Sequence, residues 1–145
     1  MKRELDEKLC AKYPKIFVNR DKDMMESARY WGFEHGDGWY WLIDQLCGCI
    51  QGLIDNNPHL NIQQVVATQV KEKFGGLRFY IDGGNDDIQG MVSLAEHMSY
   101  AICEMCGSTE NVGTTAGWIT TVCKACLDKD ERFKDRVWTP NEETI

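Results

Sequence analysis

One hundred and forty-five residues is about one domain's worth of chain, with room for one core and a small appended module. A hydrophobic fraction of 43%, a charged fraction of 27% and three prolines disfavour a disordered chain. No 18-residue apolar run is present, which disfavours a membrane span. Sixteen Lys+Arg against 23 Asp+Glu give a net charge of −7, with acid in excess in every third of the chain, which disfavours a partner made of phosphate.

The first residues, 1–7, carry charges with no apolar stretch behind them, so no signal peptide is expected and the chain is read as cytoplasmic. Residues 3–12 predict a short helix, with Leu5 and Leu9 one turn apart, ended by Pro14. An extended piece is expected at 15–18, and a second short helix, capped by Asp21 or Asp23, through Tyr30. Residues 32–38 read as a turn-rich loop.

The clearest helix follows. Trp39, Leu42, Ile43, Leu46, Cys47, Ile50, Leu53 and Ile54 recur at helical spacing, Asp37 is the expected N-cap, and Asn56-Asn57-Pro58 is the stop. By that spacing Trp39 and Trp41, with Trp31, are read as core or its rim. Cys47 and Cys49 lie about 200° apart around such a helix and cannot chelate together. Cys47 and Cys10 are read as buried thiols.

Two strands are expected at 62–73 and 77–82, joined by a turn at Gly75-Gly76. Lys71, Lys73 and Arg78 gather near that turn; with Glu72 among them they read as a solvated, charged edge. A third long helix is predicted over 86–102 and runs directly into Cys103, leaving no linker. A strand at 118–122, a helix over 124–136 and a frayed tail at 139–145 complete the chain.

The cysteines carry the sharpest signal. Cys103-x2-Cys106 and Cys123-x2-Cys126 are separated by 16 residues, the spacing of a four-thiolate zinc site. Each CxxC turn aims two sulfurs at one point, and two turns close a tetrahedron with Zn–S near ~2.3 Å. Gly107 suits the left-handed position of such a turn, and a helix starting at the second pair would help to hold thiolates. Four protein ligands leave no position for water, so one structural Zn2+ is expected, not a catalytic one.

No comparable pattern points to catalysis. His35, His59 and His97 share no motif with a nucleophile, and no phosphate-binding glycine loop is present. Only 35–40 sets a base beside an acid, and helix capping by Asp37 accounts for that pair without chemistry. The expected architecture is α+β: a core domain over 1–102 with a β-hairpin, a treble-clef or ribbon-like four-cysteine module over 103–138 packed on it, and a tail.

Several blocks resemble a family of small uncharacterised proteins of tailed bacteriophages and prophages. They are 12–17, 32–33 with 36–40 and 42–44, the specific central block 64–80, Ala95-Glu96 with Ser99, Cys103-Glu104-x-Cys106-Gly107, and Gly117-Trp118. Relatives carry a longer insert between the second long helix and the hairpin, and some vary the last ligands. The resemblance implies a setting and no catalytic residues. Small acidic phage proteins commonly act by binding a host protein, including components of antiviral defence. The expected contact surfaces are the loop with Trp31, His35 and Tyr40 and the hairpin tip with Lys71, Lys73 and Arg78. Two alternatives remain open. One is a zinc-finger nucleic-acid binder using Lys124, Lys129, Arg132, Lys134 and Arg136 with the hairpin lysines Lys71 and Lys73, to which the interleaved acids are an objection. The other is a small enzyme or nucleotide-signal binder using 35–40, which a pocket at that loop would favour.

Overall fold

The computed structural model describes residues 1–20 and 32–142. The helix expected through Tyr30, and Trp31, fall outside the described residues. Helix α1 (Arg3–Lys12) forms as its periodicity predicts, with Glu4 and Asp6 in its first turn and Lys12 in its last. Leu9 is fully buried, and Asp6 accepts from the Arg20 guanidinium, Nε at 3.2 Å. Residues 14–20 are turn, not an extended piece. A strand would send Ile16 and Phe17 to opposite faces; the turn buries both.

The first sheet has the order β1-β2-β3, with β1 (Phe33–Glu34), β2 (Val66–Lys73) and β3 (Gly76–Asp82). The β2–β3 pair is antiparallel, as expected; β1 pairs parallel to β2 inside what reads as a loop. The hairpin turn is Phe74-Gly75, not Gly-Gly, because Lys73 pairs with Gly76 and the left-handed residues are Phe74 (φ 53°) and Gly75 (φ 79°). Gly76 is needed in the strand, where a Cβ would stand 2.4 Å from the Tyr100 ring.

A 3-10 turn (Asp37–Trp39) leads into α2 (Tyr40–Asn56), which buries Leu42, Ile43, Leu46, Cys47 and Ile50. Asp37 does not cap α2; its Oδ1 accepts the Lys2 N–H at 2.6 Å. The tryptophans divide: Trp39 is fully buried and donates to the Ile102 carbonyl at 3.0 Å, whereas Trp41 is 60% exposed. Cys47 is buried, which pushes its thiol up; Cys49 is exposed, and Cys10 is half-buried beside Asp6.

Helix α3 (Asp86–Met98) is capped by Asn85, whose side chain accepts the Ile88 N–H, and ends in a 3-10 turn (Ser99–Ala101). It covers the outer edge of β3. Ser99 Oγ accepts the Leu77 N–H and Glu96 Oε1 the Phe79 N–H, both at 2.9 Å, so that part of the edge is closed by side chains.

The second sheet has the order β5-β4-β6, antiparallel throughout, with β4 (Val112–Thr115), β5 (Thr121–Cys123) and β6 (Trp138–Pro140). Three expectations change here. The strand expected at 118–122 is shorter, and Trp118 and Ile119 are exposed before it. The helix over 124–136 stops as α4 (Lys124–Lys129), followed by a 3-10 turn (Glu131–Phe133). The tail is not frayed at its start: β6 pairs with β4, and the Trp138 indole donates to the Val122 carbonyl at 3.0 Å. The chain is thus mixed α+β, and among the described residues no helix is long and apolar enough to cross a membrane.

Candidate metal centre

The first CxxC follows Ile102, whose carbonyl is held by Trp39. The Cys103 carbonyl accepts the Gly107 N–H at 2.8 Å, and Gly107 sits at φ 80°, the left-handed position expected of it. The second pair is delivered by β5 and the first turn of α4, where Cys123 Sγ accepts the Cys126 N–H at 3.4 Å. The four sulfurs of Cys103, Cys106, Cys123 and Cys126 lie within 4.8 Å of one another, and those of Cys106 and Cys123 are 3.7 Å apart. A tetrahedron with metal–sulfur bonds of ~2.3 Å has edges of about 3.8 Å, so the cluster fits a four-thiolate metal ion.

Electrostatics distinguish the sulfurs. Burial pushes the Cys123 thiol up, but the Cys126 N–H and neighbouring thiols outweigh it and hold Cys123 below its ordinary value. Burial prevails at Cys103 and Cys126 and raises both. A bound cation favours the thiolate at every one of them.

Hydrogen bonds tie the four-cysteine segment to the core through Glu104, through Thr121 and through Asn141, whose Nδ2 donates to the Tyr100 carbonyl at 2.8 Å. Glu104 lies inside the first CxxC. Its carbonyl accepts the Gly38 N–H at 2.8 Å and its Oε1 accepts the Gly36 N–H at 3.0 Å. Both glycines are required there: a Cβ on Gly36 would stand 2.3 Å from the Glu104 carbonyl, and one on Gly38 2.1 Å from that of Cys103. Elsewhere Thr121 Oγ1 donates to the Gly75 carbonyl at 2.6 Å. Sequence reading missed Glu104 and the role of both glycines; the signal was an acidic residue within a CxxC and two glycines two apart.

The residues expected to meet a partner are placed differently from one another. His35 is buried, with Nδ1 2.7 Å from the Gly36 carbonyl oxygen and Nε2 without a partner among the described residues. Its ring centroid lies 5.8 Å from those of Phe33 and Trp39, and burial pushes its pKa down to about 4. It is a neutral core imidazole, 7% exposed, and offers a partner little surface. Tyr40 is half-buried, with Lys8 Nζ 5.7 Å from its ring. Trp31 lies outside the described residues.

The hairpin does bring its cations together: Lys71 and Arg78 are directly opposite, and Lys73 is at the tip. The C-terminal cations are largely paired with the interleaved acids, Lys124 with Asp128, Arg132 with Asp130 and Lys134 with Glu131. A cleft of about 900 Å³ separates His35, Gly36 and Asp37 from Lys129, Asp130 and Arg132, and Glu104 borders it too. No protein-family model, no curated protein and no solved structure matches the chain.

Proposed function

We propose that this is a small zinc-binding, phage-type accessory protein that acts by binding a host protein, a component of an antiviral defence system being the target class its setting suggests. The observation that supports the metal-binding part is the four-sulfur cluster joined to the core through Glu104 and Thr121, and the host-binding part rests on the resemblance of the blocks at 12–17, 32–44 and 64–80. One Zn2+ held by Cys103, Cys106, Cys123 and Cys126 would have no open position and would serve to hold shape. The order of turn, antiparallel strands and a helix beginning at the last two ligands supports a treble-clef arrangement. The paired C-terminal cations and the charge of −7 favour protein over nucleic acid.

The test is affinity capture of the tagged protein from a bacterial lysate, with and without nuclease. A host protein recovered after nuclease, and lost from Cys106→Ser, is expected. Recovery that disappears with nuclease would replace this reading by the zinc-finger one.

A second reading has two observations in its favour. The cleft borders the 35–40 loop, and Asp37 is not used as a helix cap. A small anionic ligand there, a nucleotide signal for example, would raise Tm in a thermal-shift panel, and Lys129→Ala would abolish the rise.

A further inference from the structure

The four cysteines are not equally sheltered. Cys103 and Cys123 are buried, Cys126 is half-buried and Cys106 is exposed. Each CxxC turn thus keeps one cysteine inside and turns the other toward solvent. Hydrogen bonding sharpens the difference. Cys123 Sγ accepts the Cys126 N–H at 3.4 Å, whereas among the described residues Cys106 Sγ accepts no N–H and lies 3.7 Å from Cys123 Sγ. An N–H on a thiolate draws off charge and slows its attack on an oxidant. Cys49, the other exposed thiol, is on α2 and belongs to no metal-ligating cluster among the described residues.

The exposed sulfur also stands where its loss is transmitted. Between Cys103 and Cys106 lies Glu104, which forms the seam with the core: its carboxylate takes the Gly36 N–H and its carbonyl the Gly38 N–H. Beyond the seam, the buried cluster among the described residues has only Val112, Val122 and Phe133 besides two cysteines. So few apolar residues do not hold a segment of this length once its metal has gone.

We infer that the metal centre is a reversible redox switch, and that Cys106 is the sulfur that meets the oxidant. The oxidant is a hydroperoxide, of which hydrogen peroxide is the simplest. The Cys106 thiolate attacks a peroxide oxygen; an S–O bond forms, the O–O bond breaks and hydroxide leaves. A thiolate of the second pair, Cys123 being 3.7 Å away, then attacks the sulfenic sulfur. An S–S bond forms, the S–O bond breaks and a second hydroxide leaves. Two thiolates have lost two electrons and the peroxide has gained them. A metal ion left with two ligands dissociates, and the seam at Glu104 opens. A dithiol reverses the oxidation by exchange, and added zinc closes the site again. The inference rests on the zinc-binding reading above and adds its regulation.

The test uses the full chain loaded with zinc. Brief treatment with N-ethylmaleimide, followed by peptide mass mapping, should label Cys49 and, of the four ligands, Cys106 first. Hydrogen peroxide should release zinc to a chromogenic chelator and leave a disulfide joining Cys106 to Cys123 or Cys126. Dithiothreitol with added zinc should restore the starting form. Hydrogen exchange should show protection lost at 36–38 and 103–107 in the oxidised form alone. Cys106→His keeps a four-ligand shell and should slow zinc release by about 10-fold or more, while Cys49→Ser should leave the rate unchanged. The labelling and mapping use the unaltered chain, so they decide the matter whether or not Cys106→His holds zinc. Labelling of another ligand ahead of Cys106, a disulfide that omits Cys106, zinc retained after Cys49 is fully oxidised, or a release that dithiothreitol and zinc do not reverse would overturn the inference and leave the zinc reading standing. A chain that holds no zinc even after zinc is added would remove both.

Discussion

Apolar burial is divided unequally between the two parts of the molecule. Among the described residues, twenty buried ones from Leu9 to Ile102 form one cluster in which α1, α2, α3 and the first sheet meet. The segment after Ile102 has five, Cys103, Val112, Val122, Cys123 and Phe133, and two of these belong to the four-sulfur cluster. The first cluster can hold its elements by removing apolar surface from water. The second is too small for that, as segments of about 40 residues generally are. What the difference teaches is that the second part has little apolar burial of its own and instead gathers four sulfurs that could hold a metal ion, while hydrogen bonds through Glu104 and Thr121 join it to the first.

The most direct way to break the comparison is at the metal. Cys106→Ser, or a chelator, is expected to release bound zinc and unfold the second part, since structural-site binding energy is largely folding energy, of order 10 kcal/mol in isolated fingers. Metal analysis and hydrogen exchange check it: protection should vanish over 103–142 and persist in α2. Equal metal content and equal protection would show that apolar packing suffices. The reciprocal change is Ile43→Ala in the fully buried face of α2. It should cost about 2–5 kcal/mol by denaturant titration and leave the zinc stoichiometry unchanged.

His35 sharpens the comparison through pH. Its folded pKa, about 4, lies below the ordinary 6.5 because burial disfavours the charged ring. The unfolded chain therefore binds the proton more readily. The stability in question is fully present above pH 6.5 and is lost as pH falls toward 4, about 3 kcal/mol in all. His35→Phe should flatten that part of the pH profile relative to the parent, while acid release of the metal stays the same in both. The smallest effect is expected at the seam. Gly38→Ala forces a Cβ against the Cys103 carbonyl and should destabilise by roughly 1–3 kcal/mol. Loss of protection confined to 36–38 and 103–107 is the hydrogen-exchange pattern expected.

Features set by near neighbours were legible in the sequence. Helices α1, α2 and α3 follow from 3.6-residue periodicity, the β2–β3 pair from alternation around a glycine turn, and the sulfur cluster from two CxxC spacings. Features that failed to read depend on partners far along the chain. Phe33-Glu34 is a strand only because Val70 and Lys71 lie beside it, and residues 138–140 are ordered only because β4 offers an edge. Asp37 looked like a helix cap because Trp39 and Leu42 follow it; Lys2, 35 positions earlier, claims its carboxylate instead. His35 looked accessible because glycines surround it, yet Phe33 and Trp39 enclose the ring.

The sequence by itself therefore determined which segments coil, which hairpin closes and which four sulfurs can converge, since each needs only spacing along the chain. The tertiary structure alone decided that Glu104 takes the Gly36 N–H, that His35 is neutral, and that Cys106 is the exposed member of the four cysteines. These depend on distances through space between segments that no local pattern relates.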